Sequence, residues 1–274
     1  MGKFDGLLFV TDLDGTLVKD DKTISKKNIE AIEYFKKEGG IFTFLTGRLP
    51  HGARRVYEWI KPNAPCGCIN GGGIYDYESE KFLWSVELPK SVLELVEYVD
   101  VNLPSVGIEV NLHDKIYFCK KNASTETHRT NENYPDLTCH YRDVKEPIGK
   151  ILFADREEKN IEKLMKMLDE HPSSAEFDYI RSHEEYYEIL PKGVSKGGLV
   201  VKLAELLNIS IKNTIAAGDN NNDISMFESA GIGIAVANAS EAAKKAADYV
   251  TVSNEEDAIA RIIEDIESGK YTIA

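Results

Sequence analysis

At 274 residues with 42% hydrophobic side chains, the chain is long enough for two domains of roughly 150 residues and for a sizeable core. Its 46 acidic against 33 basic side chains, net -13, create a field that repels phosphodiester backbones and anionic membrane surfaces, which argues against nucleic acid or membrane as partners. There is no basic-then-apolar leader and no apolar run of membrane-spanning length, so a cytoplasmic chain is expected.

The first third alternates strand and helix signals. The apolar run Leu7-Leu8-Phe9-Val10 reads as a strand buried on both faces, and Asp12-Leu13-Asp14-Gly15 follows at its end. Asp20 to Thr23 marks a turn. Ser25 can cap a helix whose Ile29, Ile32 and Phe35 share a face before Gly39-Gly40 ends it. Ile41 to Leu45 is a second buried strand, closed by Thr46-Gly47-Arg48, then come a helix from about Gly52 to Ile60 and a short strand from Cys66 to Ile69. His51 is expected to open that helix as an ordinary polar residue. Cys66, Cys68, Cys119 and Cys139 lack Cys-x-x-Cys spacing and read as reduced thiols, not a zinc site. Asn70-Gly71-Gly72-Gly73 resembles a turn more than a nucleotide loop.

From roughly Glu87 to Glu188 hairpin strands (Gly107 to Leu112, Lys115 to Lys120) and an amphipathic helix from Glu157 to Glu170 indicate an α+β insert. The alternating rhythm resumes after Pro191 with a helix from about Lys196 to Leu207 and the strand Thr214 to Ala217, which ends at Gly218-Asp219. Met226 and Phe227 mark a further helix, followed by the apolar run Ile232 to Val236, an alanine-rich helix, a short strand from Asp248 to Val252 and a last helix. The expected architecture is α/β: a doubly wound parallel sheet from residues 1–86 and 189–274, with residues 87–188 forming the insert.

Three buried strands thus end in polar signatures, and parallel strands bring such ends to one edge of the sheet, where ligands bind. Asp12 and Asp14 are too crowded to ionise together without an opposing charge, and Mg²⁺ bound through oxygen is the expected remedy. The parts allow phosphoryl transfer. Asp12 attacks phosphorus and forms an aspartyl-phosphate. Asp14 protonates the leaving alkoxide and then activates water. Thr46, the backbone at Gly47, and Lys196 hold phosphoryl oxygens; Asp219 and Asp223 complete the cation site, and Asn222 ligates indirectly or touches phosphate.

Asp12-Leu13-Asp14-Gly15-Thr16-Leu17, Leu45-Thr46-Gly47-Arg48, Pro191 to Gly197 and Gly218-Asp219-x-x-Asn222-Asp223 resemble the four motifs of haloacid dehalogenase superfamily phosphatases, and the last two are similar to the Cof-type subfamily. The resemblance spans nearly the whole chain. It implies a Rossmann-like core with a type IIB cap between the second and third motifs, and Mg²⁺ held by Asp12, the Asp14 carbonyl and Asp219. Arg48 is open between substrate contact and a structural ion pair.

Substrate choice is expected of the insert, where Glu109, Asn111, His113, Tyr141, Arg181 and His183 are candidates, although as hairpin or loop residues most are expected to be solvated. Such a polar set suits a small phosphorylated metabolite, above all a sugar phosphate, bound by a monomer or weak homo-oligomer. A phosphomutase or phosphotransferase would use the same aspartate, and a phospho-acceptor regulatory module would share the acidic pair and lysine but has no inserted cap. Nicotinamide dinucleotide binding would rest on Gly71 to Gly73 and Gly231 to Gly233, neither placed between a strand and a helix start.

Overall fold

A computed structural model describes residues 2–271, which divide into two compact units. The first comprises residues up to Gly47, Ala53–Trp84 and the stretch from Ser195 onward; the second comprises Arg48–Gly52 and Ser85–Val194.

Five parallel strands form the heart of the first unit, in the spatial order Tyr249–Val250, Ile232–Ala235, Thr214–Gly218, Leu8–Thr11, Ile41–Phe44. Successive side chains of a strand point to opposite faces. Phe9, Phe42, Phe44, Ile215, Ala217 and Ile234 therefore pack with Ile32, Phe35, Ile259 and Ile263 from the helices Lys26–Lys37 and Ala258–Glu267. Leu8, Val10, Ala216 and Ala235 point the other way, against Leu199, Leu203, Met226 and Phe227 from the helices Lys196–Leu206 and Ile224–Ser229. Coverage of both faces explains the uninterrupted apolar runs, and the doubly wound α/β expectation is borne out. Ser25 Oγ accepts from the Asn28 amide at 3.0 Å, the cap its position implied.

The short strand Cys66–Cys68 stops one residue early and pairs antiparallel with Gly73–Asp76, which neighbours Lys81–Ser85; an isolated bridge from Leu45 to Gly67 ties it to the main sheet. The intervening turn makes the reversal possible. Ile69 and Asn70 adopt left-handed backbone (φ 61° and 50°), and Gly71 at φ 112° has no room for a side chain, because a Cβ would lie 2.6 Å from the Ser195 backbone. Burial pushes the Cys66 thiol up to about 12 and raises Cys68 as well, so both are inert packing residues.

The second unit is built on a five-stranded sheet in the order Ile116–Lys120, Gly107–Asn111, Lys150–Ala154, Tyr186–Pro191, Phe177–His183. Neighbouring strands run antiparallel throughout. The helices Val92–Asn102 and Glu158–Asp169 bury one face, with Val96, Val99, Leu164 and Leu168 against Ile108, Val110, Ile151, Phe153 and Ile189. Among the described residues no helix is long and apolar enough to cross a membrane.

Candidate active site

The adjacency of Thr214–Gly218, Leu8–Thr11 and Ile41–Phe44 places Asp219, Asp12 and Thr46 just beyond three neighbouring strand ends. The amide of Asp12 donates to Ala217 O at 2.8 Å, so the strand ladder itself fixes the position of this carboxylate. Gly15 then turns the chain at φ 79°, and a Cβ there would sit 2.6 Å from Asp219 Oδ2. Only glycine meets both demands: a left-handed backbone and close approach to a carboxylate.

Lys196 opens the helix Lys196–Leu206, capped by Ser195, whose Oγ accepts from the Gly198 amide at 3.0 Å. Its side chain is 1% exposed and donates from Nζ to Asp12 Oδ1 at 2.5 Å and Asp223 Oδ1 at 2.6 Å. The second oxygen of Asp223 accepts from the amides of Asp219 and Asn220 at 2.9 and 3.0 Å. Asp219 is held by Thr16 Oγ1 at 2.8 Å. One ligand oxygen from each of Asp12, Asp219 and Asp223 lies within 4.8 Å of the others.

Three carboxylates around one ammonium leave an excess of two negative charges in a buried place. Burial, reinforced by the Asp223 and Asp219 carboxylates, holds Asp12 well above the usual carboxylate range despite Lys196. Burial and the Asp223 charge likewise push Asp219 up to about 7. Burial would lower Lys196, but the Asp12 and Asp223 charges and hydrogen bonds outweigh it and raise the lysine above its ordinary value. The oxygen-only donor set and the excess charge fit a hard divalent cation such as Mg²⁺.

The remaining core candidates complete the same edge. Thr46 is buried, its amide donating to Gly67 O at 3.0 Å and its carbonyl accepting from the Asn70 amide at 3.1 Å. Gly47 lies so close to the Asn70 side chain that a Cβ would come within 2.9 Å of Nδ2. Asn222 Nδ2 donates to Asn70 Oδ1 at 3.1 Å, while its own Oδ1 is buried with no hydrogen-bond partner among the described residues. Asn70, expected only to open a turn, thus joins the Thr46 loop to Asn222. Its signal was an asparagine at a strand end before a glycine run, the composition of a left-handed turn. Asp14 stands apart from the carboxylate cluster, its side chain 42% exposed and 3.3 Å from Lys22 Nζ.

The insert candidates belong to the second unit. Arg48 forms an ion pair, Nη1 to Glu132 Oε2 at 2.8 Å, and donates to Gly52 O at 3.0 Å. The Tyr141 ring packs in the apolar layer beside the helices, and its hydroxyl donates to Asp100 Oδ2 at 3.3 Å. Arg181 is tied to Glu158 and the Glu184 carbonyl at 3.1 and 3.2 Å. His183 is exposed beside Tyr186, His51 lies in the first turn of the helix Pro50–Ile60, and His113 lies in the turn of the first hairpin. Glu109 and Asn111 are buried at 0% and 1% exposure, although most of these candidates were expected to be solvated.

Glu109 accepts from His128 Nδ1 at 2.9 Å. Burial lowers the imidazole, but the Glu109 charge and hydrogen bond outweigh it and raise His128 above its ordinary value, with Lys150 opposing and Glu132 assisting. A histidine raised on folding contributes stability that is fully present below its unfolded value near 6.5 and is lost as pH rises through the folded value. Wild-type protein should therefore exceed His128→Gln in thermal midpoint at pH 6 by a margin that shrinks towards pH 9. A margin that is constant or widens would refute the ion pair.

A profile for haloacid dehalogenase-like hydrolases matches residues 9–263. The 5-amino-6-(5-phospho-D-ribitylamino)uracil phosphatase YitU of Bacillus subtilis is 28% identical over 269 residues, covering 94% of this chain and 96% of its own. The pyridoxal phosphate phosphatase YbhA of Escherichia coli is 28% identical over 267 residues, 92% and 95% of the two chains. A haloacid dehalogenase-like hydrolase of Bacteroides thetaiotaomicron superposes with a TM-score of 0.81 at 26% identity, covering 95% of this chain and 99% of that one.

Proposed function

Because the chain belongs to the haloacid dehalogenase-like hydrolases and is a phosphatase of small phosphorylated molecules, we propose that it is Mg²⁺-dependent, works through an aspartyl-phosphate on Asp12 and prefers sugar or polyol phosphates. The observation that carries this reading is the buried cluster of Asp12, Asp219 and Asp223 around Lys196 at the ends of adjacent parallel strands. The preference draws support from YitU, named for a ribityl phosphate. Reduced thiols accord with a cytoplasmic enzyme.

Mg²⁺, held by Asp12, Asp219 and the Asp14 carbonyl, would offset the negative charge that otherwise repels a phosphoryl group. Lys196 orients the Asp12 carboxylate and favours its charged form without outweighing burial, and the cation would supply the rest, so that an oxygen can form a bond to phosphorus as the ester P–O bond breaks. Asp223, fixed by two backbone amides, holds Lys196 in turn. The exposed Asp14 gives its proton to the departing oxygen and takes one from the water that opens the acyl-phosphate, releasing inorganic phosphate. Thr46 and Asn222 hold phosphoryl oxygens, with Asn70 fixing both.

Phosphate release should be measured from hexose 6-phosphates, ribitol 5-phosphate, pyridoxal 5'-phosphate and phenyl phosphate, with Mg²⁺ and with EDTA. The expected result is release that EDTA lowers by about 10²-fold or more, fastest with the hydroxylated esters. Metal-independent release would remove the cation from the mechanism. Release only after a bisphosphate activator is added would point to a mutase.

A further inference from the structure

Asp14 carries protons in the reaction proposed above, yet it stands outside the buried cluster with its side chain 42% exposed. The backbone beneath it is fixed: Leu13 O accepts from the amides of Leu17 and Val18 at 3.1 and 2.8 Å, and Gly15 turns the chain. The direction of the carboxyl group is a separate matter, because an aspartate side chain has two torsions of its own. Lys22 Nζ reaches back eight positions and donates to Asp14 Oδ1 at 3.3 Å.

The turn that carries Lys22 is tied down more firmly than an exposed turn requires. The Lys22 amide donates to Lys19 O and the Lys19 amide to Thr23 O, both at 2.9 Å. Asp21 Oδ1 accepts from the Thr23 amide and hydroxyl at 2.9 and 2.6 Å. The Asp20 amide donates to Glu255 Oε1 at 2.9 Å, and Asp20 Oδ1 accepts from Asn254 Nδ2 at 3.2 Å. Lys22 O accepts from Arg55 Nη2 at 3.1 Å. Together these bonds hold Lys22 in left-handed backbone, φ 64°, which glycine or asparagine would adopt at less cost. All of these residues belong to the first unit.

An ion pair this exposed adds little stability, so its own worth does not explain a strained and heavily tethered turn. What the turn supplies is a donor fixed beside Asp14 Oδ1. An ammonium bonds that oxygen whether or not the other oxygen carries a proton, because the carbonyl oxygen of a carboxylic acid accepts as a carboxylate oxygen does. The same hold therefore serves when Asp14 gives its proton to the departing oxygen and when it takes one from water. Resting on the phosphatase reading above, we propose that Lys22 is a positioning residue that fixes the direction of the Asp14 carboxyl group for both proton transfers.

The test compares two esters with the full chain: 4-nitrophenyl phosphate, whose leaving group departs without a proton, and the fastest alkyl ester of the panel above, whose alkoxide needs one. In Lys22→Met the ratio of kcat/KM for the alkyl ester to kcat/KM for the nitrophenyl ester should fall about tenfold, through kcat and not KM. Lys22→Arg keeps a cationic donor and should restore most of the ratio. Methionine is unbranched and meets the same backbone, so the thermal midpoint should stay near that of wild type. Asp21→Ala, which loosens the turn and leaves Lys22 in place, should lower the ratio in the same sense, and it serves if the methionine variant does not fold. A loss equal for both esters, expressed in KM, would place the ammonium on the phosphoryl group and overturns the proposal. Release from both esters with a ratio within about twofold of wild type overturns the proposal alone. Wild type active on the nitrophenyl ester only also overturns it, since no alkoxide is then protonated. Wild type that releases phosphate from neither ester overturns the phosphatase reading and the proposal with it.

Discussion

Asp12→Asn should lose phosphatase turnover by at least about 10⁴-fold while keeping its fold. The amide has nearly the volume of the carboxylate, and its oxygen can still accept from Lys196, which lies 2.5 Å from Asp12 Oδ1 in the native protein. The backbone bond to Ala217 O is untouched. What disappears is the anionic oxygen that bonds to phosphorus. The substitution also removes one of three mutually repelling carboxylates, one that burial holds well above the usual carboxylate range. In EDTA at pH 8 the variant should therefore melt no lower than wild type, and added Mg²⁺ should stabilise it less, since a ligand oxygen has lost its charge. Phosphate release and thermal midpoints with and without Mg²⁺ check both halves. Residual turnover above about 1% of wild type would remove Asp12 from the nucleophile's role.

Much of this site was legible because its residues follow strands whose composition leaves no alternative. Leu8–Thr11, Ile41–Phe44 and Thr214–Gly218 are buried on both faces, so their apolar runs are continuous, and the polar residues after them must mark the sheet edge. Lys196 was readable as the compensating charge because Asp12, Asp219 and Asp223 require one. Asn70 was not readable in the same way. Its contribution arises from the approach of Asn222, 152 positions later in the chain, and no local pattern encodes that contact.

The second unit was harder to read for a different reason. Gly107-Ile108-Glu109-Val110-Asn111 alternates in the manner of a strand with one wet face, and alternation alone cannot distinguish a polar face in water from one enclosed in protein. Enclosure changes the meaning of Glu109 and Asn111. In water they are unremarked surface residues; buried, each demands a partner, and Glu109 has His128 whereas Asn111 has none among the described residues. Tyr141 shows the converse. Its polar hydroxyl suggested a ligand contact, but a tyrosine can bury its ring and still bond a rim carboxylate, here Asp100.

Lys196→Met should unfold more readily than any other single change at the site. The methylene stem is replaced by one of similar length, so packing survives, but Asp12 and Asp223 lose the ammonium 2.5 and 2.6 Å away. Removing one partner of a buried ionic cluster costs about 3–5 kcal/mol, because the remaining charges are still out of water. The sign of the pH dependence follows from the carboxylates. Asp12 and Asp219 are already raised in the native fold, so folded protein binds protons more tightly than unfolded chain, and the penalty grows as pH rises above the unfolded carboxylate range. The variant should thus lose most stability at pH 8 in EDTA, recover part of it at pH 5, and recover part with Mg²⁺. Adding Asp223→Asn should restore stability further by removing one uncompensated charge. Activity should stay down by about 10³-fold in both the single and the double variant, since neither supplies a cation to the phosphoryl group. A Lys196→Met protein as stable as wild type at pH 8 in EDTA would mean that the cluster is hydrated and that its repulsion does not govern the site.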